Sequence, residues 1–295
     1  MRTLFASIFA LVIGIVTVIG LTGWRADALL HTAEPLREIS GDEQVLDAVP
    51  ALVADQVTSN AESQLPFSDA LGGVTENFAS LVVEDSRFAQ AWGEAVEMTR
   101  QDWVEGLQQA STPAEPDAGY LSIHLTPVAQ LAGVVLGEQL DQISLLDGVD
   151  PTGWVPSELV IDTQVPPSEL ISADDLVLIE QYVTYWPLVL GGAAVAFVLA
   201  LLLAAPGARW SVWLISGAVI VLGGVTLRTG IGRLVDDSIA ATVEDGTVAI
   251  VEPLMHAFAN WSYPQLNVMM IGGAVVAAVG LIGALIAMGR ETSSA

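Results

Sequence analysis

Residues 181–208 read QYVTYWPLVLGGAAVAFVLALLLAAPGA, a run of 28 positions without a charge. A helix rises about 1.5 Å per residue, and the hydrocarbon core of a bilayer is about 30 Å thick. About 20 such residues are therefore enough to cross it. Working outward, Thr3–Trp24 is equally free of charge, and two further apolar runs follow. The expected spans are roughly Leu4–Leu21, Tyr185–Ala205, Trp210–Leu227 and Leu266–Met288. The third is the shortest. It must stand nearly upright, or Arg209 and Arg228 must protect its ends.

Between the first two spans lies an acidic segment. The chain carries a formal net charge of −25, and every basic residue other than histidine is an arginine. Trp24–Thr184 holds 28 of the 34 acidic residues against four arginines: Arg25, Arg37, Arg87 and Arg100. Such a segment repels nucleic acid and anionic lipid, so no nucleic-acid partner is expected. It attracts cations or basic partners, or it is a solvated surface that keeps a domain soluble. Growth in high salt or a GC-rich genome leaves the same bias. There is no cysteine, which excludes disulfides, thiolate metal sites, iron–sulfur clusters and cysteine nucleophiles. At about 160 residues the segment is long enough to be held by its core alone.

Met1-Arg2 before an apolar run resembles an export signal, and Ala26-Asp27-Ala28 offers an A-x-A pattern. A signal core is typically about 7–15 residues. This run is longer, so residues 1–23 are read as an uncleaved signal anchor. Arginines near the span ends divide almost evenly. Arg2, Arg209 and Arg290 lie on one side, and Arg25, Arg37, Arg228 and Arg233 on the other. The export-like start favours cytoplasmic termini with the acidic domain outside.

The expected fold class is an all-α membrane protein. Four transmembrane helices carry a mostly helical, acidic extracytoplasmic domain with one short two-stranded β element. The expected order is anchor 1–23, acidic domain 24–184, span 185–205, span 210–227, an extracytoplasmic helical hairpin at 228–265, span 266–288 and a cytoplasmic tail 289–295. The side opposite the domain then carries 1–3, the turn at Pro206-Gly207-Ala208-Arg209 and the tail, which leaves no cytoplasmic output domain.

Within the domain, apolar residues at helical spacing predict a helix over Asp42–Ser59, with Asp42 as cap and a kink or start at Pro50. Ser68 or Asp69 caps a second helix through Val83. Asp85-Ser86 opens a third, with Phe88, Trp92, Val96, Thr99, Trp103 and Leu107 as a core stripe. Ser111–Gly119 reads as loop. Tyr120–Leu125 and Leu159–Val165 read as two strands that pair. Thr126-Pro127 starts a helix to about Leu146. Asp174-Asp175 caps a helix expected to run unbroken into the second span. Beyond the third span, Ile231–Val243 and Val248–Phe258 suggest an outward and a returning helix.

No catalytic residue, metal ligand or cofactor site stands out. His31, His124 and His256 lie in separate segments without metal-ligand spacing, and His124, in a strand-like run, is expected to face outward. Asp147-Gly-Val-Asp150 resembles part of a calcium loop but lacks the remaining ligands. The spans hold no Asp, Glu, Lys, Arg or His, which argues against ion-coupled transport. The fourth span carries a small-residue stripe, Gly273, Ala277, Gly280, Ala284 and Ala287. Gly191, Gly192 and Ala196 lie on the second. Small faces let helices approach closely, within one bundle or toward a partner helix. Trp24, Tyr182, Tyr185, Trp186, Trp210, Trp213, Trp261 and Tyr263 suit interfacial belts.

The layout resembles a family of actinobacterial four-span integral membrane proteins of unknown function. The likeness rests on Glu34-Pro35-Leu36 and Asp47-Ala48-Val49 after the first span, Ser86-Arg87-Phe88 with Trp92, Leu125-Thr126-Pro127-Val128, and Ser168-Glu169-Leu170 before the second span. It covers nearly the whole chain and implies no activity. The expected function is non-enzymatic: an envelope membrane protein, in contact with the lipid bilayer, that displays its acidic domain for partner binding or as an accessory subunit. The partner is another envelope or membrane protein, or a second copy. A cell-envelope enzyme with a site between domain and membrane, or a sensor acting through a partner membrane protein, stands as the alternative.

Overall fold

Asp42 accepts the Gln44 backbone N–H at 3.1 Å through Oδ1, and its carbonyl accepts from Val45 and Leu46. That cap starts one of the longer helices of the acidic segment. The computed structural model describes residues 2–64, 78–109, 122–140, 155–156, 158–162, 173–205, 207–242 and 248–292. Among them the helices are α1 (Arg2–His31), α2 (Glu34–Ser40), α3 (Glu43–Gln64), α4 (Phe78–Glu84), α5 (Phe88–Gln109), α6 (Thr126–Leu140), α7 (Ala173–Val183), α8 (Trp186–Leu203), α9 (Arg209–Thr242) and α10 (Val248–Thr292). The strands β1 (Ser122–His124) and β2 (Val160–Asp162) pair antiparallel, with Ile123 opposite Ile161. The all-α class with one two-stranded element and four apolar helices long enough to cross a membrane holds.

The chain forms two compact units. One comprises Met1–His31, Leu178–Leu234 and Ala259–Ala295 and contains the apolar helices. The other comprises Thr32–Val177 and Val235–Phe258. The end of α9 and the start of α10 thus group with the acidic segment. Both helices also run continuously through residues 228 and 265, α10 with Pro253 and Pro264 inside it.

In the acidic unit, Val45, Val49, Val53 and Val57 recur every fourth residue along α3 and are fully buried. α3 packs against α4 and α6, and α5 packs against α6 and β1. Pro50 lies inside α3 without ending it. Asp85 opens α5: its Oδ1 accepts from the Arg87 backbone at 2.8 Å, and its carbonyl accepts from Phe88. Thr126 Oγ1 accepts from Leu159 N at 2.9 Å, and Leu125 N donates to Leu159 O at 2.8 Å. These bonds extend the short ladder by side-chain and backbone means. The expected loop at Ser111–Gly119, the cap at Ser68 or Asp69, the end of the helix toward Leu146 and the Asp147–Asp150 motif lie outside the described residues.

One expectation fails. The helix leading to the second span does not run unbroken: α7 ends at Val183, Thr184-Tyr185 form a turn, and α8 begins at Trp186. Pro187 supplies the reason. It has no N–H to give the Val183 carbonyl, and its ring crowds that carbonyl. Pro187 is well placed only in the first turn of a new helix, which is where it sits.

In the apolar unit, Ala6, Ala10 and Ile13 of α1 share a buried cluster with Ala200 and Ala204 at the end of α8, Ala208, and Val212 of α9. Phe197 of α8 meets Trp213 of α9 edge to face, with ring centroids 4.9 Å apart. Gly14 lies under Val219, and Gly223 under Val18, so α1 and α9 approach closely. Buried Ser216 donates to the Ala10 carbonyl at 3.0 Å, a polar tie between these two helices.

Candidate functional site

The small-residue stripe of α10 is largely spoken for inside the chain. A Cβ on Gly217 of α9 would meet the Ala277 backbone nitrogen and the Gly273 carbonyl, both nearer than van der Waals contact allows. One on Gly280 would meet the Leu214 nitrogen and the Trp210 carbonyl. Gly273, Ala277 and Gly280 therefore face α9. Ala284 is half-buried, and Ala287 lines an open groove of about 280 Å³ with Trp210, Val279, Ile282, Gly283 and Ile286. The glycines of α8 behave differently. Gly191 and Gly192 are exposed, with nothing within 4 Å of a built Cβ, while Ala196 packs against the α1–α8–α9 cluster.

At the end of the bundle where α1 stops and α8 starts, polar and aromatic groups collect. Asp27 Oδ2 accepts the Trp186 indole N–H at 3.0 Å, and its Oδ1 lies 3.0 Å from His31 Nδ1. Trp24 and Trp186 pack with centroids 6.2 Å apart. The Arg25 guanidinium lies over the Trp261 ring at 3.8 Å. Arg228 lies over Tyr263 at 4.8 Å and donates through Nη1 to Asn267 Oδ1 at 2.7 Å. The sequence marked most of these aromatics as interfacial. It did not show that α10 supplies the rings on which Arg25 and Arg228 rest. The signal available was the i,i+4 spacing of Tyr263 and Asn267, which places both on one helix face.

The acidic unit holds a second cluster. The His124 N–H donates to Thr99 Oγ1 at 2.9 Å, and His124 Nε2 lies 3.3 Å from Asp102 Oδ2. The expected outward orientation of His124 is corrected here. Its side chain is only 17% exposed, because β1 lies on α5 and turns the imidazole toward that helix. Trp103 Nε1 is buried without a hydrogen bond. His256 lies 4.0 Å from Glu252, one turn away on α10. Among the described residues, no group of three His, Cys, Asp or Glu side chains could hold a metal ion.

Charge on the acidic unit is organised along α5 and its start. Arg87 bonds Asp85 through Nε and Nη2 at 2.8 and 2.6 Å, and reaches Glu138 on α6 through both terminal nitrogens at 3.1 Å. Side-chain and backbone hydrogen bonds from Arg87 hold the Asp85 carboxyl down at about 2. The same bonds push the Arg87 guanidinium upward. The Arg100 hydrogen bond lowers Glu97 from its ordinary value, helped by Gln101.

No known family model, curated protein or solved structure matches the chain. The reading of function therefore rests on these residues.

Proposed function

We propose that this chain is a non-enzymatic integral membrane protein of the cell envelope, which displays its acidic helical unit outside the membrane to bind a basic partner. On this reading it serves as an accessory subunit of a membrane complex. The observation that carries the proposal is a row of exposed carboxylates on α5: Glu94, Asp102 and Glu105. Gln90 donates to Glu94 at 2.9 Å and Gln109 to Glu105 at 2.7 Å. Those neutral amides fix the Glu94 and Glu105 carboxylates in place. Complementary charge steers encounter and selects partners more than it adds raw affinity. The kinship with actinobacterial four-span membrane proteins belongs to the same proposal and draws on the order of the motifs around Glu34, Trp92 and Thr126.

The test is crosslinking in intact cells, followed by purification of the full chain in mild detergent. The wild type is expected to bring down one defined protein. A variant carrying Glu94→Gln, Asp102→Asn and Glu105→Gln is expected to lose it, with its circular dichroism unchanged. Recovery of the wild-type chain alone, or equal capture by the neutralised variant, would count against the proposal.

A further inference from the structure

Among the described residues, Arg87 and Arg100 of the acidic unit rest on carboxylates. Arg228 does not, although the chain carries 34 acidic residues. Its partners are the Tyr263 ring and the Asn267 amide, both neutral. The arrangement is built from two matched helix faces. Arg228 and Gly232 stand one turn apart on α9, and Tyr263 and Asn267 one turn apart on α10. A Cβ on Gly232 would lie 3.8 Å from the Tyr263 hydroxyl, in ordinary van der Waals contact, so the two helix faces adjoin here.

The height of the site follows from the sequence. Arg228 is the first charge after the apolar run that begins at Trp210. Eighteen residues of helix rise about 27 Å, close to the thickness of the hydrocarbon core. Arg228 therefore lies where the acyl region gives way to phosphates. Its side chain is exposed, and one Nη1 hydrogen is committed to Asn267. A guanidinium has five N–H donors in a planar fork that matches phosphate geometry. The Tyr263 ring, 4.8 Å away, and the Asn267 hydrogen bond hold the guanidinium before any ligand arrives.

We infer that Arg228, seated on Tyr263 and Asn267, is a binding site for the phosphate of an anionic phospholipid head group in the adjoining leaflet. This lipid would be retained by the α9–α10 pair in preference to a zwitterionic one. The preference is expected to be about fivefold, as for one basic side chain at an anionic membrane surface.

The experiment compares the purified full chain in detergent with added phosphatidylglycerol, phosphatidylcholine or inorganic phosphate, following thermal unfolding. Phosphatidylglycerol is expected to raise the melting temperature of the wild type more than phosphatidylcholine does, with no shift from inorganic phosphate. Arg228→Gln is expected to abolish the difference between the two lipids. Three results would overturn the inference: no lipid difference in the wild type, the same difference in Arg228→Gln, or an equal shift with inorganic phosphate. If Arg228→Gln does not fold, Tyr263→Leu, which removes the ring beneath the guanidinium, is expected to weaken the difference. An undiminished difference there overturns the inference too.

Discussion

Arg87 holds Glu138 through two parallel hydrogen bonds of 3.1 Å, joining the start of α5 to α6 across 51 residues of chain. The same guanidinium binds Asp85, so one side chain both completes the cap of α5 and ties it to its neighbour. A planar, always-charged fork is the group that can serve two carboxylates at once.

This clamp sets a pH dependence. The Asp85 carboxyl is lowered from 3.8 to about 2 by its hydrogen bonds with Arg87. A depressed carboxylate contributes stability above its unfolded value, and that stability is lost as pH falls through the folded value. Asp85→Asn is therefore expected to melt below the wild type at pH 5–7. The gap should close on going from about pH 4 to about pH 2, as melting curves over that range would show. A gap that does not change with pH would mean that the carboxylate charge is not what stabilises the cap.

Trp92 donates its indole N–H to the Ser40 carbonyl at 2.9 Å, where α2 ends. Ser40 is buried, so an unpaired carbonyl there finds no water in exchange. Trp92→Phe is expected to cost about 1–3 kcal/mol. Chemical denaturation monitored at the remaining tryptophans measures it.

The α9–α10 contact predicts a contrast between glycines. Gly217→Leu and Gly280→Leu force a side chain against backbone on the facing helix, which must move apart. Each is expected to destabilise the chain by about 1–3 kcal/mol or to prevent its folding. Gly191→Leu and Gly192→Leu meet nothing, and are expected to leave thermal stability in detergent unchanged.

Sidedness can be read directly, because the chain has no cysteine of its own. Glu94→Cys lies on the exposed face of α5, and Gly207→Cys in the exposed turn between α8 and α9. With an impermeant maleimide on intact cells, only position 94 is expected to react. Reaction at position 207 alone would turn the acidic unit into a cytoplasmic docking platform.

Much of the fold was legible because it is written in local patterns. The charge-free runs mark the spans, Asp42 and Asp85 mark helix starts, and the alternation around Ile123 and Ile161 marks the strands. The break at Thr184-Tyr185 was legible too, in Pro187, but lost against the longer apolar periodicity around it. The site was less legible. The spacing of Tyr263 and Asn267 shows a shared face without showing what the face meets.

The sequence by itself determined where helices start, which of them are apolar enough for a bilayer, and that charge is confined between them. These depend on residues within a turn or two of each other. Only the tertiary structure decided that Gly273 and Gly280 serve α9, that His124 turns onto Asp102, and that Arg25 and Arg228 rest on rings of α10. Those pairings join segments from about 20 to more than 200 residues apart. They depend on how helices cross, which no local periodicity encodes.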